Sequence, residues 1–315
     1  MSSQSEASSK PLDLVYKYKT LSVEHFTELQ EDINKLKREK KLSDHEVYRS
    51  YIDDKKFELP ETFPEAKSLV VMAIATKLML ANFQLNGRNY EVMVPPGYYS
   101  TGLSVEILKD IISDEIINES GYKVEMASQL HLKLLAVRSG LGRYGRNNIC
   151  YVDGMGSMLR LFAFFTDYQF EEDNWTELQM LEKCQECRIC MKQCPHGAIT
   201  EENFVVDVGK CVTLYNEIEG DFPTWISPDS HNALMGCMKC QSPCPANREV
   251  INQTGRMKEV IEEETKQLLD GILDETTMES LSSKLQYPLS EETVPVFSRN
   301  LRVLIQPNTP KTTTS

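Results

Sequence analysis

No stretch of the 315-residue sequence reaches the roughly 18 consecutive apolar residues of a membrane span. The Ser-rich opening, Met1 to Lys10, has neither the apolar core of a secretory signal nor a twin-arginine pair. A cytoplasmic protein with no membrane partner is the expectation. Positive charge is also scarce: 34 Lys and Arg stand against 47 Asp and Glu, a net charge of -13. A phosphate backbone would meet a repulsive overall field, so a nucleic-acid partner is not expected. The one short basic run, Lys35 to Lys41, lies among acids and reads as a solvated helix face. There is no internal repeat beyond two cysteine motifs, and no low-complexity linker. The hydrophobic share of 41% is ordinary and sufficient for a packed core.

The periodicities point to an α/β N-terminal domain, a mixed sheet with flanking helices. Phe26, Leu29, Ile33 and Leu36 recur at helical spacing over about Ser22 to Lys40. The continuous apolar run Ser68 to Ala75 suits a strand buried on both faces, as in a parallel or mixed sheet. A second helix carries Ile107, Leu108, Ile111, Ile112 and Ile116 and stops at Gly121, followed by a short strand at Tyr122 to Glu125. A third runs from Ser128 to Ser139, and two strands, Ile149 to Val152 and Leu159 to Phe165, are joined by the turn Asp153 to Gly156. Beyond the cysteines the chain reads as helical, with Thr276 and Glu279 set as a capping box. The expected organisation is a disordered tail at 1–12, the α/β domain at 13–170, a ferredoxin-like domain at 171–250, a short helical segment at 251–305 and a tail at 306–315.

Cysteine is what the sequence has in excess. Eight of the nine lie between positions 184 and 244, and in a reducing compartment such a cluster reads as metal ligands, not disulfides. Cys184, Cys187, Cys190 and Cys194-Pro195 follow the C-x2-C-x2-C-x3-C-P spacing of two-cluster bacterial ferredoxins. Two-residue gaps wrap three thiolates around one cube, and the three-residue gap turns the fourth away toward a second. Cys211, then Cys237, Cys240 and Cys244-Pro245, repeat the motif with its first cysteine displaced. The crossed pattern assigns Cys184, Cys187, Cys190 and Cys244 to one 4Fe-4S cluster, and Cys194, Cys211, Cys237 and Cys240 to the other. Structural zinc is the competing reading of eight thiolates, but the consecutive gaps and Cys-Pro endings disfavour it. Cys150, inside an apolar strand, reads as a small buried hydrophobe. His196 and His231, close to the motifs in sequence, read as neighbours of the clusters and not as ligands.

Gly140, Gly142 and Gly145 spell G-x-G-x-x-G, a pattern associated with dinucleotides. That fingerprint needs a strand before it and a helix after it, and here the order is reversed. The glycines still mark a tight turn or a close approach.

With the stretch Leu132 to Asn147 (LKLLAVRSGLGRYGRN), then Gly154 to Asp167, then the eight cysteines, the chain resembles the epoxyqueuosine reductase family over about Pro60 to Arg248. It is similar also to shorter relatives of unassigned function and, more weakly, to corrinoid reductive dehalogenases. The resemblance implies a cobalamin in the N-terminal domain beside one cluster, with Met126, Arg138, Gly140, Gly142, Tyr144, Gly145, Arg146 and Asn147 around the corrin. Electrons would pass from the outer cluster to the inner one and on to cobalt, supplied by a low-potential donor such as a ferredoxin or flavodoxin. In that family an aspartate twelve positions before the motif arginine donates a proton to substrate. Here that position is Met126, and only the adjacent Glu125 could act as the catalytic acid. The larger members also carry a C-terminal helical-repeat domain that engages tRNA, and little sequence follows Cys244 here. The expectation is therefore a cobalamin-dependent iron-sulfur reductase acting on a small organic substrate and not on queuosine tRNA, the alternative being a non-catalytic electron-transfer or corrinoid-activating protein.

Overall fold

The computed structural model describes residues 14–202 and 204–305; both expected tails lie outside the described residues. The strands are β1 (Tyr16–Ser22), β2 (Ser68–Ala75), β3 (Met79–Leu85), β4 (Arg88–Val94), β5 (Val124–Met126), β6 (Arg143–Tyr144), β7 (Cys150–Tyr151), β8 (Leu159–Thr166) and β9 (Gly255–Arg256). The helices are α1 (Phe26–Arg38), α2 (Glu46–Asp53), α3 (Val105–Ile111), α4 (Leu132–Arg138), α5 (Ile189–Gln193), α6 (Val212–Glu217), α7 (Glu262–Asp270), α8 (Glu275–Leu285) and α9 (Val294–Ile305). Two compact units emerge. The first comprises Met1–Thr76, Thr101–Cys187 and Asn203–Val205; the second, Lys77–Ser100, Arg188–Glu202 and Val206–Ser315. The cysteine segment contributes to both.

The first unit is built on a four-stranded sheet in the order β1-β2-β8-β5. All three pairings are antiparallel, where the sequence suggested parallel or mixed pairing. The reason is burial. Leu69, Val71 and Ala73 of β2 face a core that includes Leu29 of α1 and Leu135 of α4, while Val70, Met72 and Ile74 face Ile107, Leu108 and Ile111 of α3. Helices cover both faces of an antiparallel sheet, and two-sided cover is what a continuous apolar run reports. The expected hairpin between the strands at 149–152 and 159–165 also does not form. β7 pairs with β6, β8 pairs with β2 and β5, and the turn between them is closed by its own Val152–Gly156 bridge.

Ser104 caps α3 by accepting from the Ile107 amide at 3.2 Å. The helix widens into a π-helical turn over Ile112–Ile117 and ends on Asn118 at φ +54°, three residues before the expected Gly121. Asparagine tolerates that left-handed position because its side chain bonds locally.

In the second unit β3 and β4 form a hairpin, and β9 adds to β3 in parallel, so mixed pairing occurs here. Asn86 (φ +51°) and Gly87 (φ +70°) make the turn, the two left-handed residues that a type I′ hairpin requires. Helices α7, α8 and α9 pack with this hairpin around Phe83, Leu268, Leu281, Phe297 and Leu301. The cap of α8 is Asp274, accepting from the Thr277 amide at 2.7 Å, and not the box at Thr276. A one-sided cap occurs at α7, where Glu264 accepts from the Ile261 amide at 3.0 Å and pairs with Lys284 at 2.7 Å.

Phe164 is fully buried in the second half of β8. Phe164→Ala should lower the unfolding free energy by about 3–5 kcal/mol through the cavity it leaves, read as a shifted urea midpoint at unchanged m-value. A shift of less than about 1 kcal/mol would remove this cluster from the core.

Candidate metal centre

In the second unit the cysteines sit on short helical turns and loops. Cys190 lies within α5, and the Cys194 amide donates to the Cys190 carbonyl at 3.0 Å. The Cys194 sulfur accepts from the Ala198 amide at 3.3 Å. Cys211 takes the N-cap position of α6 in extended conformation. Before Cys237 stands Gly236 at φ +65°, and after it the Met238 amide donates to Asn232 Oδ1 at 3.0 Å, with Cys237 Sγ 3.8 Å from the same oxygen. Cys244 leads into a 3-10 turn, Pro245–Asn247.

Cys194, Cys211 and Cys237 come within electrostatic reach of one another. Burial pushes the Cys237 thiol up to about 11, the backbone at Lys239 pulls the other way, and Cys211 and Cys194 push it further up. Burial likewise raises Cys211, with Cys194 adding to the shift. Thiols that oppose each other's ionisation are a poor arrangement for free cysteines and a suitable one for iron, whose positive charge removes the conflict.

A buried polar network holds these loops. Asn216, with no exposed surface, donates from Nδ2 to the Gly236 carbonyl at 2.7 Å and shares Oδ1 with His231 Nδ1 at 2.9 Å. Asn300 of α9 donates to the carbonyls of Asn216 and Leu234, both at 2.8 Å. Arg299 lies over the Phe222 ring at 4.1 Å and donates to the carbonyls of Tyr215 and Gly220. The chain around Cys211 and Cys237 is thus fastened to one helix. His196 pairs with Ser230 Oγ at 2.9 Å and meets the Trp225 ring edge-on; like His231, it has a protein partner.

Sequence reasoning missed Asn216, Asn300 and a tyrosine. The half-buried Tyr98 donates its hydroxyl to Glu217, and Cys211 and Cys237 act on that hydroxyl electrostatically. Its ring lies so close to Gly236 that a β-carbon there would fall 2.6 Å from Cε2. The glycine before Cys237 was the available signal.

In the first unit Cys184 closes a 3-10 turn, Glu182–Cys184, and the Cys187 amide donates to the Lys183 carbonyl at 3.3 Å. Arg146 donates to the Cys184 carbonyl. The glycine loop lies between α4 and β7 and includes the short β6, so the order of elements is indeed the reverse of a dinucleotide site. A β-carbon on Gly142 would fall 2.6 Å from Cys150 Sγ and 2.9 Å from the Tyr151 carbonyl, and one on Gly145 2.5 Å from the Tyr151 ring. The glycines make room for β7.

Several residues expected around a corrin are engaged within the unit. Arg138 grips both carboxylate oxygens of Asp32, at 2.7 and 2.6 Å, and stacks on Trp175. Tyr144 is buried edge-on to Phe204, and Asn147 donates to the Tyr151 hydroxyl at 3.0 Å. Gly140 is exposed, and Arg146 has a buried Nε with no hydrogen-bond partner. Met126 packs partly against the α3 side of the sheet. Its neighbour Glu125 accepts from Thr62 Oγ1 at 2.7 Å and lies 3.3 Å from Lys123 Nζ; these contacts hold its carboxyl below the usual range. A cavity behind the loop, lined by Tyr48, Tyr51, His131, Tyr144 and Phe204, holds only about 70 Å³, whereas cofactor pockets run from roughly 300 to 1,000 Å³. Cys150 is buried, and burial pushes its thiol up to about 12, so it behaves as the hydrophobe expected.

A family model described as a 4Fe-4S double cluster binding domain matches residues 183–247, the span of all eight motif cysteines. The chain is similar to epoxyqueuosine reductase from Escherichia coli strain K12, 36% identical over 115 residues, covering 36% of this chain and 29% of that one. The enzyme of the same name from Staphylococcus aureus is 30% identical over 118 residues, 38% of this chain and 30% of that one. The matched segment thus spans about three tenths of these curated relatives. Among solved structures, epoxyqueuosine reductase from Bacillus subtilis superposes with a TM-score of 0.62 at 18% identity, covering 91% of this chain and 76% of that one. An epoxyqueuosine reductase bound to an epoxyqueuosine-modified tRNA stem loop gives the same TM-score and coverage. The chain is thus epoxyqueuosine reductase-like in fold, carries a double 4Fe-4S domain, and has among its described residues no helix long and apolar enough to cross a membrane.

Burial pushes the buried His231 from its ordinary 6.5 down to about 4. Because the folded pKa lies below the unfolded one, the unfolded state binds the proton first, and stability falls as pH drops below about 6.5. The slope from this one group approaches 1.4 kcal/mol per pH unit. His231→Asn should flatten the acid limb of the urea midpoint against pH between about 6.5 and 5; an unaltered limb would show His231 titrating normally.

Proposed function

We propose that this chain is an iron-sulfur oxidoreductase in which two 4Fe-4S clusters deliver electrons, one at a time, to a cobalamin that reduces a small organic substrate. The observation that carries the reading is the donor set: eight thiolates in two ferredoxin-type motifs, all within the span that the double-cluster family model matches. Cys184, Cys187, Cys190 and Cys244 hold one cluster; Cys194, Cys211, Cys237 and Cys240 hold the other. Thiolate ligation matches the charge of the iron, and two clusters in series make a conduit.

For the cobalamin, support comes from Arg146. A buried guanidinium nitrogen without an acceptor is costly, and the other end of that guanidinium is tied to the backbone of a cluster ligand. Arg146 would hold a carbonyl or phosphate oxygen of the cofactor beside Cys184, with the side-chain-free edge at Gly140 offering close approach. When bound, cobalamin supplies cobalt-centred reduction, chemistry no side chain provides. An electron donor of low potential, a ferredoxin or flavodoxin, completes the path.

The substrate is inferred to differ from the modified tRNA of the structural neighbour. Met126 cannot give a proton, and Glu125, held ionised by Thr62 and Lys123, has none to give at neutral pH. The same observation favours a second reading, a relay protein that only transfers electrons.

Anaerobic titration of the reconstituted protein with hydroxocobalamin, followed by visible absorption and EPR after reduction, should give a tightly held cobalt(II) signal in the base-off form. Arg146→Leu should weaken binding at least tenfold while keeping its iron; no binding beside two intact clusters would leave the relay. The loaded protein should not turn over an epoxyqueuosine-modified stem loop, and turnover would refute the substrate assignment.

A further inference from the structure

Tyr98 stands outside the cysteine motifs by more than eighty residues of sequence, yet three contacts bring it to them. Its ring is packed on Gly236, the residue before Cys237, at a distance no larger residue would allow. Its hydroxyl lies in the field of both Cys211 and Cys237. That hydroxyl donates to the carboxyl group of Glu217, which ends the helix that Cys211 begins. The proton of the phenol is therefore directed away from the sulfurs and toward the carboxylate. The phenol's proton is thus engaged by Glu217, whose pKa burial raises, and the oxygen's lone pairs are what it has left to present to the thiolates.

A 4Fe-4S cluster gains one negative charge when reduced, and its potential responds to hydrogen bonding, net charge and solvent access at the sulfurs. At Cys194 the chain offers a donor, the Ala198 amide, which stabilises the extra charge. Cys211 and Cys237 also receive donors, from Thr213 and from the Lys239 backbone, and Tyr98 is the polar group beside them whose proton is given elsewhere.

We propose that Tyr98, anchored by Glu217, is a positioning residue that holds the cluster of Cys194, Cys211, Cys237 and Cys240 at a low potential. Gly236 is what admits the phenol to that place. This rests on the ligand assignment above but on neither cobalamin nor substrate.

The experiment is a redox titration of the full-length, anaerobically reconstituted protein, following each reduced cluster by EPR, for wild type, Tyr98→Phe and Glu217→Gln. Iron and sulfide near eight per chain in the wild type tests the two-cluster assignment separately, and about four of each would sink that instead. With both clusters present, each substitution should move the midpoint potential of one cluster upward and leave the other in place. Tyr98→Phe keeps the ring on Gly236, so packing alone predicts no change. Unchanged potentials, or a downward shift showing that the hydroxyl donates to sulfur, would overturn the proposal; so would loss of iron by both variants, which would make the pair merely structural.

Discussion

Asn216 donates to Gly236 and shares its oxygen with His231, and Asn300 donates to the carbonyl groups of Asn216 and Leu234. These few amide contacts decide the form of the cluster-bearing loops. The loops have little regular structure, so their backbone groups lack the partners that a helix or sheet would give, and side-chain amides inside the unit supply them. Because each amide satisfies two chain segments at once, the segments that carry Cys211 and Cys237 are tied to each other. The thiols then raise one another's pKa, the electrostatic conflict that metal relieves.

The legible part of the sequence was the part where local chemistry dictates the answer. The eight cysteines, the buried β2, the helix at α1 and the reversed context of the glycine loop were all readable, because spacing and periodicity act over a few residues. Strand direction was not. Val70 and Val71 report only that both faces of β2 are covered, and an antiparallel sheet between helices satisfies that as well as a parallel one. The hairpin of β3 and β4 was legible and went unread: Asn86-Gly87 between alternating apolar residues is its signal. Asn216 and Asn300 could not have been found, since each owes its role to residues remote in sequence, and for Tyr98 the local signal was only Gly236, which marks a close approach without saying by what.

The glycine loop shows how a sequence pattern misleads by being correct. Three glycines do mark close approach, but at Gly142 and Gly145 the approaching group is the chain's own β7. Arg138, similarly, reads as a ligand-binding arginine and proves to be one half of a salt bridge to α1. A motif can therefore belong to a family through its scaffold.

The parallel pairing of β3 with β9 joins Met79 to Gly255 across most of the chain. Everything from Thr101 to Cys187 belongs to the other unit. During synthesis the hairpin must leave the ribosome early and wait, one edge unpaired, while the first unit and the cysteine loops are made. Only when α7 to α9 follow can its apolar face be covered. Loop closure over such a separation is slow, so the chain exposes its cysteines to the cell before the helix that fastens their loops exists. Completion of the loops that carry the cysteines is thereby placed late in the making of each new molecule.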